Sequence, residues 1–215
     1  MQKVIIFDLD GTVIDSIYDI TDSMNKMLVN HGFKEISIEN MKKGLGGSSI
    51  DIVRNAINAD ISKDLLNECT LEYTKNYVDG GCPKTVVFEG MDKVIFELKK
   101  RDYKICALSN KPDDEIQPIF DRVLKPLGFD MVCGLSEKII PKPNPQGALY
   151  ILNQMNASVE NSYLVGDGET DVLTALNAKI KFIGVLWGNR DKEFLQGYGA
   201  KVFAKTPKEL LSLID

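Results

Sequence analysis

An apolar run at residues 4–7 ends in two aspartates one residue apart, Asp8 and Asp10. The run contains Val4, Ile5 and Ile6, and such a stretch of β-branched residues favours a strand buried on both faces, as in a parallel sheet. The strand would end at the carboxyl edge of the sheet, where open α/β folds bind their ligands. Because two carboxylates this close repel each other unless a cation or a shared proton lies between them, the pair indicates a chemical site.

Two plainer interpretations of this Asp-x-Asp-Gly segment have to be considered. Asp and Gly are common turn residues, so the segment ending in Gly11 is also compatible with a simple turn. A calcium loop begins in the same way, but Thr12 and Val13 follow here and no closing Glu stands in the expected register. The segment alone therefore leaves a turn and a chemical site both open.

The composition is that of an ordinary globular protein with a mild acidic excess. The chain has 215 residues, of which 44% are hydrophobic, enough to bury a core in one domain or in a domain with an insertion. Its 26 basic and 31 acidic residues give a net charge of −5, which argues against nucleic acid or an anionic membrane as the main partner. Any anion must then be bound locally, by a metal, a few cations or backbone amides.

Cysteine and histidine residues do not form a recognisable metal motif. The four cysteines are too far apart for a Cys-x-x-Cys clip, and the single histidine, His31, excludes a multi-His centre. His31 precedes Gly32 and is expected to end a helix. No apolar run approaches the roughly 20 residues of a membrane helix, and no signal-peptide pattern opens the chain. We therefore expect a cytoplasmic protein with reduced thiols, in which carboxylates or lysines do the acid–base work.

Helical periodicity dominates residues 16–84, whereas apolar runs and helical stretches alternate on either side. Alternating strands and helices imply parallel pairing with right-handed crossovers. The sequence therefore predicts an α/β fold in which residues 1–15 and 85–215 form a Rossmann-like parallel sheet core flanked by helices. The four helices predicted within residues 16–84 form an inserted helical bundle of their own.

Local signals define the predicted elements. Asp15 or Ser16 is a candidate cap for the first helix of the bundle, Ser49 for the third, and Pro118 predicts a break or kink. The predicted helices cover residues 16–31, 38–43, 50–57, 65–77, 91–101, 113–127, a stretch ending near 155, 171–178 and a terminal segment from Pro207. The predicted strands cover residues 4–7, 103–108, 131–133, 162–165, 182–186 and 202–204.

Polar side chains recur where the predicted strands end. Ser109 and Asn110 follow one strand, Asp167 and Asp171 follow a later one, and Lys142 lies in a rigid proline-rich loop. If these strands are parallel neighbours, their ends meet at one crevice together with Asp8 and Asp10. Alone, Ser-Asn is a common turn and Lys142 an ordinary solvated lysine. Together, these clusters are far more specific than any one of them.

Such a group of oxygen ligands favours Mg2+. One aspartate could attack phosphorus while its neighbour handles the proton of the leaving oxygen. Ser109, Asn110 and Lys142 would bind the phosphoryl oxygens, where charge develops in the transition state. No P-loop is present, and Gly166-Asp167-Gly168 is not a dinucleotide fingerprint, because Asp171 stands at its third glycine position.

At this point the sequence resembles the haloacid dehalogenase superfamily, and within it the branch similar to phosphoglycolate phosphatase. The resemblance spans essentially the whole chain, and the helical bundle at residues 16–84 matches the family's cap domain. The motifs that carry the resemblance are Phe7-Asp8-Leu9-Asp10-Gly11-Thr12, Ser109-Asn110, Lys142-Pro143-Asn144-Pro145 and Gly166-Asp167-Gly168-Glu169-Thr170-Asp171.

The resemblance implies a role for each matched residue. Asp8 would be the nucleophile and Asp10 the acid and base. Asp167 would bind Mg2+ together with Asp8 and the backbone carbonyl of Asp10, and Asp171 would support the metal ligands or orient Lys142. One departure concerns Gly168, because many relatives carry Thr or Ser there; Glu169 or Thr170 are candidates to replace the lost hydroxyl.

The sequence therefore predicts an enzyme, a Mg2+-dependent phosphatase of small phosphomonoesters, whose partner is a small phosphorylated metabolite. Phosphoglycolate-like compounds, nucleotides and sugar phosphates all fit this description. A phosphomutase similar to β-phosphoglucomutase and a receiver-type signalling domain are the alternatives. Residues expected to select the leaving group lie in the helical bundle: Gly46, Gly47, Ser48 and Arg54.

Overall fold

A six-stranded parallel sheet forms the centre of the computed structural model, which describes residues 2–215. Met1, the first residue of the predicted core segment, lies outside the described residues. The order across the sheet is residues 131–135, 103–112, 2–7, 157–166, 181–185 and 203–204, so the predicted first strand is central. Its residues 4–7 are fully buried, as the apolar run predicts. The strands are β1 (Gln2–Phe7), β4 (Tyr103–Pro112), β5 (Met131–Leu135), β6 (Ala157–Gly166), β7 (Lys181–Val185) and β8 (Phe203–Ala204).

Helices connect these strands, which gives the predicted α/β architecture. Within residues 2–215 the α-helices are α1 (Ile17–Asn30), α2 (Ile38–Gly44), α3 (Ser49–Ile57), α4 (Lys63–Asp79), α5 (Met91–Lys100), α6 (Asp113–Ile119), α7 (Gln146–Gln154), α8 (Glu169–Ala178), α9 (Lys192–Gly197) and α10 (Leu210–Leu213). None of the helices in this part of the chain has both the length and the apolar character needed to cross a membrane. The four cysteines are free and buried, as expected for core thiols.

Helices α1 to α4, the four-helix segment, lie in the chain between β1 and β4. A small antiparallel ribbon joins the two ends of this segment: β2 (Ile14–Asp15) pairs with β3 (Val86–Val87). Strand β2 was not predicted from the sequence, because a two-residue strand is too short to show periodicity. The segment shares one continuous hydrophobic cluster with the sheet, so it is packed on the core.

One predicted cap is corrected, that of α3, whereas Ser16 lies at the predicted cap position of α1 without making a cap hydrogen bond. The amino-terminal cap of α3 is Ser48, whereas the Ser49 hydroxyl donates to Glu115 of α6 at 2.7 Å. Ser16 precedes α1, but its hydroxyl donates to Asp10 and makes no cap bond. In both cases a partner far along the chain or across the site competes with the local backbone for the hydroxyl. His31 follows the last residue of α1, as predicted.

The region around Pro118 is helical but irregular, as the sequence predicts. Helix α6 ends at Ile119, and a π-helical turn at Phe120–Leu124 and a 3₁₀ turn at Lys125–Leu127 continue it. Proline removes one backbone donor and crowds the preceding turn, which explains the change of helix type. Helix α9 and the last residues of β4 were not predicted. The extension of β4 includes Ser109, Asn110 and Lys111.

Candidate active site

The carboxyl ends of β1, β4 and β6 converge, because these three strands are adjacent and parallel. Side chains from these ends and from the four-helix segment line a cavity of about 90 Å³. This is the crevice that the strand-end clusters predict. The predicted residues that line it are Asp8, Asp10, Gly46, Gly47, Ser109, Asn110, Lys142, Asp167 and Asp171.

Lys142 joins two of the buried carboxylates. Its ammonium nitrogen lies 2.7 Å from Asp8 Oδ1 and 2.6 Å from Asp171 Oδ1. Burial raises the pKa of Asp8 well above its ordinary value, and although Lys142 opposes this, the charges of Asp171 and Asp167 add to it. Burial opposes the charge of Lys142, but the two carboxylates outweigh it and raise its pKa. Lys142 is thus held as a cation beside Asp8.

Asp167 lies in a closely packed pocket of backbone and amide groups. Its Oδ2 accepts hydrogen bonds from the backbone N–H of Asn189 at 2.6 Å and from the Asn189 side chain at 2.9 Å. Burial, with the charge of Asp171, raises the pKa of Asp167 to about 7 despite these bonds. A Cβ on Gly11 would lie 2.3 Å from Asp167 Oδ2, and one on Gly188 would lie 2.4 Å from it. Both positions therefore require glycine.

The arrangement of carboxylates fits a divalent cation. Oxygen atoms of Asp8, Asp167 and Asp171 lie within 4.8 Å of one another, and all three residues are buried. The mutual repulsion of these carboxylates contributes to the raised pKa values of Asp8 and Asp167, and hard oxygen donors of this kind suit Mg2+. The Asp10 carboxylate is not part of the cluster, which leaves its backbone carbonyl for the ligand role that the resemblance implies.

Asp10 is held by a lysine that the sequence analysis did not select. Asp10 Oδ1 accepts a hydrogen bond from Lys111 Nζ at 2.8 Å and another from the hydroxyl of Ser16. Lys111 also donates to the hydroxyl of Tyr77 in α4 at 2.7 Å. Burial opposes its charge, but Asp10 and its other neighbours raise the pKa of Lys111. Lys111 directly follows Ser109 and Asn110, and this position at a strand end was the sequence signal that could have identified it.

Asn110 and Ser109 make hydrogen bonds to backbone groups at the end of β4. The Asn110 side chain accepts from the backbone N–H of Lys142 at 2.7 Å and donates to the Lys142 carbonyl at 3.0 Å. Ser109 Oγ accepts from the backbone N–H of Lys111 at 3.1 Å. Asn110 therefore holds the loop that carries Lys142, an arrangement that sequence spacing did not reveal.

Of the four predicted selection residues, only Gly46 and Gly47 line the cavity among the described residues. Ser48 lies outside it, where its N–H and hydroxyl donate to Asp51 Oδ2 at 3.0 and 2.6 Å. Arg54 is half exposed and pairs with Asp51 at 2.9 Å, on a different concave surface. The geometry gives no support to leaving-group selection by Ser48 or Arg54.

Arg190 connects the core to the four-helix segment, and sequence reasoning did not identify it. It donates to the carbonyls of Lys42 at 2.8 Å and Leu45 at 2.6 Å, at the carboxyl end of α2. Its Nε lies 3.4 Å from Glu169 Oε2. The sequence signal that could have identified Arg190 is the run Gly188-Asn189-Arg190, which follows β7 at the same sheet edge.

Gly168 lies at the start of α8, where its N–H donates to Asp171 Oδ2 at 3.0 Å. A Cβ there would make ordinary contacts, the nearest at 3.4 Å from Asp171 Oδ2. Glu169 and Thr170, the two residues expected to replace a lost hydroxyl, both line the cavity. Glu169 pairs with Arg190, whereas the Thr170 hydroxyl makes no hydrogen bond to any residue in the described range 2–215.

Comparisons with known proteins show which family the chain belongs to. Residues 5–185 match the family model described as haloacid dehalogenase-like hydrolase. Phosphoglycolate phosphatase of Pseudomonas fluorescens is 28% identical over 87% of this chain and 71% of its own length. The enzyme of that name from Aquifex aeolicus is 30% identical over 87% of this chain and 86% of its own length.

A crystal structure from Lactobacillus delbrueckii subsp. bulgaricus, described as a candidate phosphoglycolate phosphatase, superposes with a TM-score of 0.90. The two are 26% identical, and the alignment covers 100% of this chain and 99% of that one. The sequence resemblance and the α/β fold are thereby confirmed. The chain belongs to the haloacid dehalogenase-like hydrolase family, and it is similar in sequence to proteins named phosphoglycolate phosphatase.

Proposed function

We propose that this protein is a Mg2+-dependent phosphatase that hydrolyses small phosphomonoesters through an aspartyl phosphate on Asp8. The observation that carries the proposal is the buried group of Asp8, Asp167 and Asp171, with Lys142 bridging two of its members. Asp8 Oδ1 is paired with Lys142, whereas Oδ2 accepts no hydrogen bond from residues 2–215. One oxygen of Asp8 is thus free to react while the other is held in place.

Residues 16–84 act as a cap over this site in our proposal, and residues 1–15 and 85–215 as the core. Contacts between the two parts surround the cavity: Glu115 accepts from Ser49 at 2.7 Å and from Thr74 at 2.9 Å, and Lys111 donates to Tyr77. These contacts support a cap that closes on the core and excludes bulk water from the reaction.

Asp8 and Asp10 share the two chemical steps. In the first step an Asp8 oxygen bonds to phosphorus as the bond from phosphorus to the leaving oxygen breaks, and protonated Asp10 donates its proton to that oxygen. In the second step the Asp10 carboxylate accepts a proton from a water molecule whose oxygen bonds to phosphorus. The aspartyl–phosphate bond then breaks, which releases phosphate and restores Asp8.

Charge on the phosphoryl group requires compensation in both steps. Mg2+ held by Asp8, Asp167 and the backbone carbonyl of Asp10 would supply positive charge next to the phosphoryl oxygens. Lys142 presents a second positive charge beside Asp8 and binds a phosphoryl oxygen. Ser109 contributes its hydroxyl and Asn110 a remaining amide hydrogen, and Asp171 keeps Lys142 oriented.

Trapping the aspartyl phosphate tests the mechanism. The protein is mixed with p-nitrophenyl phosphate and Mg2+, quenched in acid and digested, and mass spectrometry is expected to find the added phosphate on the peptide containing Asp8. Asp8→Asn is expected to abolish both the label and phosphate release. Undiminished turnover by Asp8→Asn, or a label on another residue, contradicts the mechanism. Release of free phosphate from a hexose phosphate, without isomerisation, distinguishes a phosphatase from a mutase.

A further inference from the structure

We propose that Glu115 selects the leaving group, so that the enzyme prefers phosphomonoesters with a neutral or cationic leaving group and discriminates against a second anionic group such as a carboxylate. This inference rests on the proposed phosphatase function and specifies its substrate class. The preferred leaving groups carry a hydroxyl or an ammonium that donates to Glu115.

Glu115 lies in α6 and is only 2% exposed, yet it lines the cavity. Its Oε1 accepts both cap hydrogen bonds, from Ser49 and from Thr74. Its Oε2 accepts no hydrogen bond from the described residues. A buried carboxylate oxygen at the wall of a substrate cavity is a strong acceptor for a donor on the ligand.

Glu115 makes no direct ion pair within residues 2–215. Burial raises the pKa of Glu115, and the charge of Lys111 opposes this rise. Among the described residues, the three cationic side chains that line the cavity each face a different carboxylate. Lys142 pairs with Asp8 and Asp171, Lys111 with Asp10, and Arg190 with Glu169. Arg190 is further occupied by carbonyl groups at the end of α2.

Carboxyl groups outnumber cations in the lining of the cavity. Against these three cations it carries six carboxylates, those of Asp8, Asp10, Glu115, Asp167, Glu169 and Asp171. With a divalent cation at the metal site and Asp10 protonated for the first step, the remaining five carboxylates are only balanced, so no positive charge is left over for a second anionic group on the substrate. A leaving group with its own carboxylate would be buried beside Glu115 without a counter-charge, which is costly in a dehydrated site.

Apolar side chains complete the cap side of the cavity. Ile20, Leu45, Ile52 and Tyr73 line it together with Glu115. These surfaces suit the carbon skeleton of a small leaving group and offer no charge to an anion. Rejection of a charged competitor by an unpaired like charge is a direct route to specificity.

The proposed preference for a neutral or cationic leaving group therefore disfavours phosphoglycolate, the substrate in the names of the curated relatives. At 28% and 30% identity, two of the relatives named phosphoglycolate phosphatase share the family with this chain. The glycolate released from phosphoglycolate carries a carboxylate, the group that the unpaired Glu115 disfavours.

Three two-carbon substrates test this directly, because they share the phosphoryl group and the two-carbon length and differ in the group at the end of the leaving group. They are phosphoglycolate, 2-hydroxyethyl phosphate and phosphoethanolamine, which end in a carboxylate, a hydroxyl and an ammonium at pH 7. Steady-state phosphate release with Mg2+ gives kcat/KM for each. We expect the native protein to favour the hydroxyl and ammonium compounds over phosphoglycolate by at least about tenfold.

The variant Glu115→Gln tests whether the charge of Glu115 causes this substrate preference. Glutamine keeps an oxygen that can accept from Ser49 and Thr74 but removes the negative charge. The ratio of kcat/KM for phosphoglycolate to that for phosphoethanolamine is expected to rise at least about tenfold. Glu68→Gln removes an exposed carboxylate from α4 and is the matched control, with an unchanged ratio.

The outcomes separate the inference from the proposed function. Phosphoglycolate turned over as efficiently as the other two compounds by the native protein overturns the inference while the phosphatase function stands. An unchanged ratio in folded Glu115→Gln overturns the role of Glu115. Absence of phosphate release from all three compounds and from p-nitrophenyl phosphate overturns both proposals. The ranking by the native protein does not depend on whether the variant folds.

Discussion

The side chain of Asn110 makes two hydrogen bonds with the backbone of Lys142. Asn110 Oδ1 accepts from the Lys142 N–H at 2.7 Å, and Asn110 Nδ2 donates to the Lys142 carbonyl at 3.0 Å. The two residues are 32 positions apart in the chain. This pairing couples the end of β4 to the proline-rich loop and fixes where the Lys142 ammonium stands relative to Asp8.

Asn110→Ala is therefore expected to impair both stability and catalysis. Each buried backbone group left without a partner costs about 1–3 kcal/mol, measurable as a lower free energy of unfolding in urea. Because a displacement of Lys142 affects the phosphoryl group, kcat should fall by about ten- to a hundredfold. Asn177→Ala is the matched control, since Asn177 donates to the carbonyl of Pro143 in the same loop. Equal losses of kcat in both variants contradict the assigned role of Asn110.

Stability should fall with rising pH in the absence of metal. The pKa of Asp167 is about 7 in the folded protein against 3.8 for the ordinary carboxyl group, so the folded state retains a proton that the unfolded chain releases in this range. The associated stabilisation is present below about pH 4 and lost as pH rises through about 7. With a chelator, the melting temperature should be lower at pH 8 than at pH 5.5.

Mg2+ should restore the lost stability at pH 8, because it binds the ionised carboxylates of the folded protein. Asp167→Asn is expected to weaken both the pH dependence and the response to Mg2+. Asp121→Asn changes a carboxylate that is 82% exposed and serves as the control, with a response like that of the native protein. A melting temperature of Asp167→Asn that responds to Mg2+ as the native protein does would exclude Asp167 as a ligand.

Gly11→Ala should disrupt the site around Asp167. Gly11 has a φ of +89°, and a methyl group would approach the Asp167 carboxylate and the Asn189 amide to 2.3 and 2.4 Å. We expect a destabilisation of at least about 1–3 kcal/mol and loss of most activity, measured by urea unfolding and phosphate release. Gly197→Ala is the control: it ends α9, has no neighbour within 4 Å, and should be neutral or slightly stabilising.

Arg190→Ala should loosen the packing of the four-helix segment on the core. The substitution removes the donors to the Lys42 and Leu45 carbonyls, so backbone amides in residues 38–47 are expected to exchange hydrogen faster in mass spectrometry. KM should rise severalfold, because closure contributes to substrate binding. Arg54→Ala removes only an exposed ion pair with Asp51 and should leave both exchange and the substrate profile unchanged. A substrate profile altered by Arg54→Ala would instead support a role for Arg54 in selecting the leaving group.

Much of the molecule could be predicted from local pattern. Strands and helices leave patterns among residues that are close in sequence. These patterns are the apolar run at residues 4–7, the helical periodicity between residues 16 and 84, and the alternation of apolar runs and helical stretches that follows. They predicted the strands and helices around the site. The same logic placed Asp8, Asp167 and Lys142 in one crevice, because parallel strands end at one edge of a sheet.

What the sequence alone determined was therefore the periodic elements, the α/β fold class and the chemical character of the strand ends. Only the tertiary structure decided which partner each polar side chain takes, since such contacts depend on three-dimensional direction and not on spacing. Arg190 reaches Lys42 across 148 positions, Ser49 bonds Glu115 instead of capping its own helix, and Lys111 holds Asp10. Arg54 lies outside the cavity for the same reason: its position on α3 directs it away from the sheet edge where the carboxylates meet.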